Sequence, residues 1–273
     1  MNSLKKPHLT ILIATWNRTE LLRKRSLPSL RKQSFAPSRV ILVDNSEKKF
    51  HIQNQQIFEK CIPSEWNPVY IKNSCHQGNA FSWNMGLEWI RNNTPETWVA
   101  ILDDDDLWEP NHLELCINAV ETNLDCVISG IQTVLDGTLL KPKNIDQFTV
   151  SDFLSGNPGW EGSNTFLRYT AFEEVGFFDE DLSCTHDRDL AIRLLSNSKF
   201  KYKIVPKITV KHFIETNRLS LTISPKKKVG MIQFWNKHNS KMTTLNKEAF
   251  LKRAKDLFNL DKELFEEYVI SEI

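Results

Sequence analysis

The sequence predicts an α/β fold: a mostly parallel mixed sheet flanked by helices, with a helical C-terminal extension. Three observations predict it. Four short runs rich in Val, Ile and Leu are apolar almost without alternation, as strands covered on both faces are. Segments of helical period separate them. Polar residues stand directly after each run, on the edge where parallel sheets bind ligands.

The runs are residues 9–14 (LTILIA), 39–44 (RVILVD), 68–73 (PVYIKN) and 98–102 (WVAIL). After the first, Thr19 is placed to cap a helix through about Gln33, with Leu21, Leu22, Leu27 and Leu30 inward. A second helix is expected from about Gly78 to Arg91, and a third from Pro110, a residue favoured in a first helical turn. Strand, helix and strand in repetition imply right-handed crossovers. Further on, residues 127–140 read as a hairpin turning at Asp136 and Gly137. Residues 155–164 (SGNPGWEGSN) are too rich in Gly and Asn for regular structure. A helix follows Asp187, with Leu190, Ile192, Leu194 and Leu195 as its apolar positions. Beyond about Pro225 the chain is Lys-rich and helical in pattern, which divides it at 1–223 and 224–273.

Composition narrows the function. The 273 residues carry 35 basic and 34 acidic side chains, so charge gives no reason to expect nucleic acid. The N-terminus is short and polar, unlike a secretory signal, and no apolar window reaches membrane-spanning length. The five cysteines (Cys61, Cys75, Cys116, Cys126 and Cys184) form no C-x-x-C pair, which argues against a disulfide framework or structural zinc. Reduced thiols in a cytoplasmic protein are the expectation.

The strongest local signal is WVAILDDDDLWEP, residues 98–110. Neighbouring carboxylates about 4 Å apart repel by roughly 1 kcal/mol even in water. Four of them at the mouth of a buried strand therefore call for a positive partner, although a solvated turn capping the next helix is the plainer alternative. Aspartate oxygens suit Mg2+ or Mn2+. An EF-hand is excluded because Trp108 stands where its glycine belongs, and neither a P-loop nor a Rossmann glycine motif is present. A metal holding a nucleoside diphosphate remains.

The strand ending ATWNR, the second ending VDNS, the helix entry GNAFSWNMG, the LDDDDLWEP turn, and EEVGFFDEDL followed by HDRDLAIRL resemble family 2 glycosyltransferases of the GT-A fold. They run in the same order over roughly residues 8 to 213. The resemblance implies a nucleotide-sugar donor, a divalent cation (Mn2+ or Mg2+), and inversion at the anomeric carbon. It implies a donor nucleotide site of Thr15, Trp16, Asn17, Arg18, Asp44, Gly78, Asn84 and Asp103. Within that set Trp16 lies against the base, unless it is a core aromatic, and Asp44 bonds the base or ribose. Asp103 contacts ribose or a metal-bound water, and Asp105 ligates the metal. Asp106 faces the donor sugar or caps the next helix, while Asp104 is structural. His212 completes the metal site or is an ordinary strand histidine.

Asp187 matches the family's general base and also stands where a helix N-cap would. The loop with Trp160, Glu161 and Gly162 corresponds to the acceptor pocket, with Trp160 as a platform for a sugar face and Glu161 as a rival base. Three departures stand out. His186 replaces the Glu usual before the base, and is expected to hold the carboxylate ionised or to pair with acceptor or backbone. Trp83 precedes Asn84 where the family often carries Arg ahead of its Asn-x-Gly, leaving phosphate contact to Arg18 or Arg218. The second strand ends in Asp-Asn rather than Asp-Asp.

The expected activity is a cytoplasmic, metal-dependent, inverting glycosyltransferase using a UDP-sugar and a glycan or lipid-linked glycan acceptor. The basic C-terminal extension gives a route to peripheral membrane contact. A non-catalytic sugar-nucleotide or glycan binder on the same fold is the alternative. A sugar nucleotidyltransferase would need a Gly-rich basic loop after the first strand, which ATWNRT lacks.

Overall fold

A computed structural model describes residues 7–73, 78–95, 97–142, 146–215 and 226–265. The first half alternates as expected. It runs β1 (Leu9–Thr15), α1 (Thr19–Leu21), a π-helical turn (Leu22–Ser26), α2 (Leu27–Arg31), β2 (Arg39–Asp44), α3 (Lys48–Cys61), β3 (Pro68–Lys72), α4 (Asn79–Asn93) and β4 (Trp98–Asp103). The second half is mixed: β5 (Leu107–Trp108), α5 (His112–Asn118), β6 (Cys126–Leu135), β7 (Thr138–Leu139), α6 (Val150–Ser155), β8 (Thr165–Arg168) and α7 (Tyr169–Glu174). Then come α8 (His186–Leu195), β9 (Tyr202–Ile214), α9 (Lys226–His238) and α10 (Thr244–Phe258).

One sheet holds all the strands among the described residues, in the order β3-β2-β1-β4-β8-β6-β9-β5, with β7 paired to β6. Strands β1 to β4 are mutually parallel, and β8 joins antiparallel to β4 and β6. Alternate residues of β1 explain the unbroken apolar run. Leu9, Ile11 and Ile13 pack with α2, α3 and α5 on one face, whereas Leu12 packs with α4 and the α8 side on the other. Each such side chain is worth roughly 1.5–3 kcal/mol on burial.

Register positions the site. Thr15 lies opposite Asp44, and Ala14 opposite Asp103, so three strands end at one level. Strand β9 pairs parallel with β6 and antiparallel with β5, with Trp108 opposite Val210, which carries His212 back to the aspartate turn.

The first helix differs from expectation. It is broken by the π turn, and Thr19 donates to Asn54 Oδ1 at 2.6 Å instead of capping. The boundary expected at 223/224, together with Cys75 and Arg218, lies outside the described residues. Helices α9 and α10 share the main core: Met231, Phe234, Trp235 and Phe250 belong to the cluster that contains Leu190 and Ile192 of α8. No described helix is long and apolar enough to cross a membrane.

Candidate active site

The aspartate turn is gripped from β1 and from the π turn. Arg18 donates to Asp104 Oδ1 (2.9 Å) and Asp105 Oδ2 (2.7 Å), and Thr15 Oγ1 donates to Asp104 Oδ2 (2.7 Å). Arg25 donates to the Asp105 carbonyl (2.8 Å) and to Glu215 (2.7 Å), with its guanidinium 3.9 Å from the Phe213 ring centre. Sequence reading missed Arg25. Its signal is the π turn, a rare geometry that often marks functional sites.

Asp104 is buried, with both carboxylate oxygens engaged by Thr15 and Arg18. Asp106 neither caps α5 nor stands open. It is wholly buried, with His212 Nδ1 3.2 Å from both carboxylate oxygens and the Phe213 N–H donating to Oδ1 at 3.2 Å. Burial opposes charge on His212, but Asp106 outweighs it and raises the imidazole pKa.

Asp103 and Asp105 are pushed up by burial. For Asp103 the repulsion of Asp106 and Asp105 adds to this. For Asp105 burial outweighs the opposing pull of Arg18, and the repulsion of Asp104 and Asp106 adds to it, leaving it at about 6. Arg18 is raised as well: burial lowers its pKa, and the charges of Asp104 and Asp105 more than reverse that. Crowded carboxylates that resist ionisation are a donor set a hard divalent cation would relieve, so the residues suit Mn2+ or Mg2+. As placed, no three His, Cys, Asp or Glu side chains among the described residues could together hold a metal ion. Arg18 engages Asp105, and Asp106 engages His212.

A short dipeptide links this cluster to the proposed base. An added Cβ on Gly162 would stand 3.0 Å from Asp103 Oδ2, a contact tight enough that the Asp103 carboxylate would have to shift by a few tenths of an ångström. Its neighbour Glu161 hydrogen-bonds Asp187, and burial followed by the Asp187 charge raises the Glu161 pKa well above normal. Asp187 also accepts from Asn157 Nδ2 at 2.6 Å. Asn157 escaped sequence reading because a lone Asn in a Gly-Asn-Pro-Gly loop reads as turn chemistry. Ser163 then ties the loop to β4, its Oγ accepting from the Asp103 N–H at 3.0 Å.

Several expected contacts are directed inward. Trp160 is no open platform: it is 2% exposed, packed among Phe148, Phe153 and Phe200, and donates to Thr165 Oγ1 at 2.9 Å. Its apolar surface is spent on the core. His186 pairs with backbone, its Nε2 2.7 Å from the Leu182 carbonyl, and burial lowers its pKa. Asn84 binds both Phe178 backbone groups and Glu180, tying α4 to that loop, and Gly78 is the helix N-cap at φ 98°. Asp44 is buried and accepts from the Ser46 N–H (2.9 Å), Asn54 (2.9 Å) and the Tyr70 hydroxyl. Asn17 exchanges two 2.9 Å bonds with Glu47, which orders the loop beside Trp16. Trp16 itself is 50% exposed, an unusual state for a large aromatic.

The glycosyl transferase family 2 model matches residues 10–178. Among curated relatives, the chain is 23% identical over 247 residues to WcaA of Escherichia coli (strain K12), named a colanic acid biosynthesis glycosyl transferase, covering 89% of this chain and 85% of that one. It is 25% identical over 226 residues to the glycosyltransferase MJ1057 of Methanocaldococcus jannaschii, covering 78% and 73%. Among solved structures, Staphylococcus aureus TarS 1-349 in complex with UDP-GlcNAc superposes with a TM-score of 0.65 at 14% identity, covering 92% of this chain and 73% of that one. The mannosyltransferase PcManGT of Pyrobaculum calidifontis, in complex with GDP-Man and Mn2+, gives a TM-score of 0.62 at 15% identity, covering 98% and 80%.

Proposed function

The chain belongs to glycosyl transferase family 2, and from that premise we propose that it moves a sugar from a nucleoside diphosphate to an acceptor hydroxyl, inverting the anomeric carbon, with Asp187 as general base. It is a glycosyltransferase of GT-A fold. The observation that carries the reading is the Glu161-Gly162 dipeptide, which touches Asp187 on one side and Asp103 on the other.

In this reading Asp187 takes the acceptor proton as the new C–O bond forms, and the bond to the diphosphate breaks on the opposite face of the sugar. Asn157 fixes the orientation of the carboxylate. Asp103, Asp105 and His212 do not converge as placed, and would hold a divalent cation only once Arg18 releases Asp105 and Asp106 releases His212; such a cation, when bound, would neutralise charge on the leaving diphosphate. Arg18 adds positive charge beside the phosphates, and Trp16 offers its exposed ring to the base. The remaining sequence-matched residues (Thr15, Asn17, Asp44, Gly78 and Asn84) shape the loops around the donor from within.

The donor we assign is a UDP-sugar, supported by the UDP-GlcNAc bound in TarS, and the acceptor is a glycan or lipid-linked glycan. Polysaccharide assembly on the cytoplasmic side, with peripheral contact through the basic start of α9, belongs to the same reading. The test is thermal unfolding with UDP, GDP, CDP and dTDP, each with and without Mn2+, on wild type and Asp105→Ala. A nucleotide at about 100 times its Kd adds roughly 2.7 kcal/mol. The reading expects UDP to stabilise only with Mn2+ and Asp105→Ala to abolish the shift. Absence of any shift in wild type overturns the donor site, and a shift with GDP alone overturns the choice of nucleotide.

A further inference from the structure

Helix α9 lies behind the helix that carries Asp187, and its contacts there are polar and directional. Before Asp187, the Ser183 N–H donates to Gln233 Oε1 at 2.8 Å, and the Cys184 thiol points to the Lys227 carbonyl at 3.8 Å. Gly230 permits this approach, since an added Cβ would stand 2.7 Å from the Cys184 backbone nitrogen and 2.4 Å from its sulfur. Thr185, the N-cap of α8, is left-handed at φ 66° and makes no side-chain cap bond. That conformation costs a non-glycine residue of order 1–3 kcal/mol and persists only where its surroundings impose it.

After Asp187 the pattern continues. Asp189 has no exposed surface and accepts from Arg193 within its own helix (2.8 and 2.7 Å), and from His238 (2.9 Å) and Lys237 (2.7 Å) of α9. Arg188, also buried, donates to the Phe153 and Leu154 carbonyls in the last turn of α6. Its guanidinium lies 4.1 Å from the Phe234 ring centre and 5.6 Å from that of Phe250, one ring from each C-terminal helix. Residues on both sides of Asp187 therefore take partners from the C-terminal helices, while Asp187 itself is bonded only from the 157–161 loop side among the contacts described.

We propose that α9 is a working part of the catalytic apparatus, and that Gln233, His238 and Lys237 are positioning residues that fix Asp187 by holding the 182–185 loop and Asp189. The proposal rests on the reading of Asp187 as general base. It distinguishes α9 from a generic stabilising cap, whose loss would weaken the whole fold without selecting the base.

The experiment uses the full chain with Gln233→Ala and His238→Gln, two mild changes chosen so that folding survives. Amide hydrogen exchange should quicken at least tenfold in residues 182–190 and stay unchanged in β1 and β4. Affinity for UDP with Mn2+ should hold within twofold while kcat, measured with UDP-N-acetylglucosamine and with GDP-mannose, falls tenfold to a hundredfold. Adding Gln233→Ala to Asp187→Asn should cost no further turnover, because both act through one group. Unchanged exchange at 182–190, or a kcat loss that adds to that of Asp187→Asn, overturns the positioning role. Full turnover in Asp187→Asn alone overturns the base reading instead, and the exchange measurement still decides whether α9 holds that segment.

Discussion

Trp83 and His186 meet edge to face, with ring centres 5.9 Å apart and planes at 85°. They are two of the three departures from the family pattern, and they are one contact. Both side chains are buried. Phe178, 4.8 Å from Trp83, closes the same cluster.

The substitutions should therefore be coupled. His186→Glu alone buries an unpaired carboxylate at a cost of about 3 kcal/mol. Trp83→Arg alone loses a buried ring, worth about 3–5 kcal/mol when truncated, and buries a charge as well. The double variant should recover at least about 1 kcal/mol of the summed loss, read by urea unfolding at one pH. Strict additivity would show that the two rings do not form a unit.

Asp189 makes a second, pH-dependent case. Burial raises its pKa, but the His238 bond and the Arg193 and Lys237 charges lower it well below the usual carboxylate range. A depressed pKa contributes stability that is present above the unfolded value of about 3.9 and is lost as pH falls below it. Asp189→Asn should destabilise by roughly 3 kcal/mol at pH 7, since Lys237 and Arg193 lose a buried partner. Between pH 5 and pH 3 the variant should lose less stability than wild type. Denaturant unfolding at the three pH values checks both statements.

The two tryptophans flanking the site should separate stability from binding. Trp160→Ala removes a core ring and should cost about 3–5 kcal/mol. Trp16→Ala, at a half-exposed position, should change stability by under about 1 kcal/mol. It should weaken nucleotide affinity roughly tenfold, the worth of one stacked ring. Calorimetric titration with UDP and Mn2+, beside thermal unfolding, measures both.

What the sequence revealed follows from how local each signal is. The first four strands are readable because they are buried on both faces, and their polar ends gather because register aligns Thr15 with Asp44 and Ala14 with Asp103. Trp160 was misjudged because a Trp between glycines looks the same whether it faces a sugar or a core; only the packing of Phe148, Phe153 and Phe200 decides. Beyond the local Ser46 N–H, Asp44 takes its side-chain partners 10 and 26 residues away in Asn54 and Tyr70, outside any motif. Strand β5, two residues long, has no period to read, yet it sets His212 against Asp106 through β9.

Two carboxyl groups compete for the role of base, and their surroundings divide the labour. Glu161 is held toward its protonated form, first by burial and then by the charge of Asp187. A raised pKa contributes stability that is complete below the unfolded value of about 4.3 and is lost as pH rises through the folded value. Gln copies the protonated carboxyl in shape and cannot ionise. Glu161→Gln should therefore be more stable than wild type at pH 8, match it near pH 4, and keep turnover within tenfold. Asp187→Asn should lose 10²–10⁴ in kcat, the usual worth of a positioned base, while UDP affinity stays within twofold. Side-by-side kcat and thermal unfolding of the two variants across pH 4–8 decide the assignment. Should Glu161→Gln carry the large kcat loss and Asp187→Asn the small one, the roles are exchanged, and Asp187 becomes the group that holds the base in place.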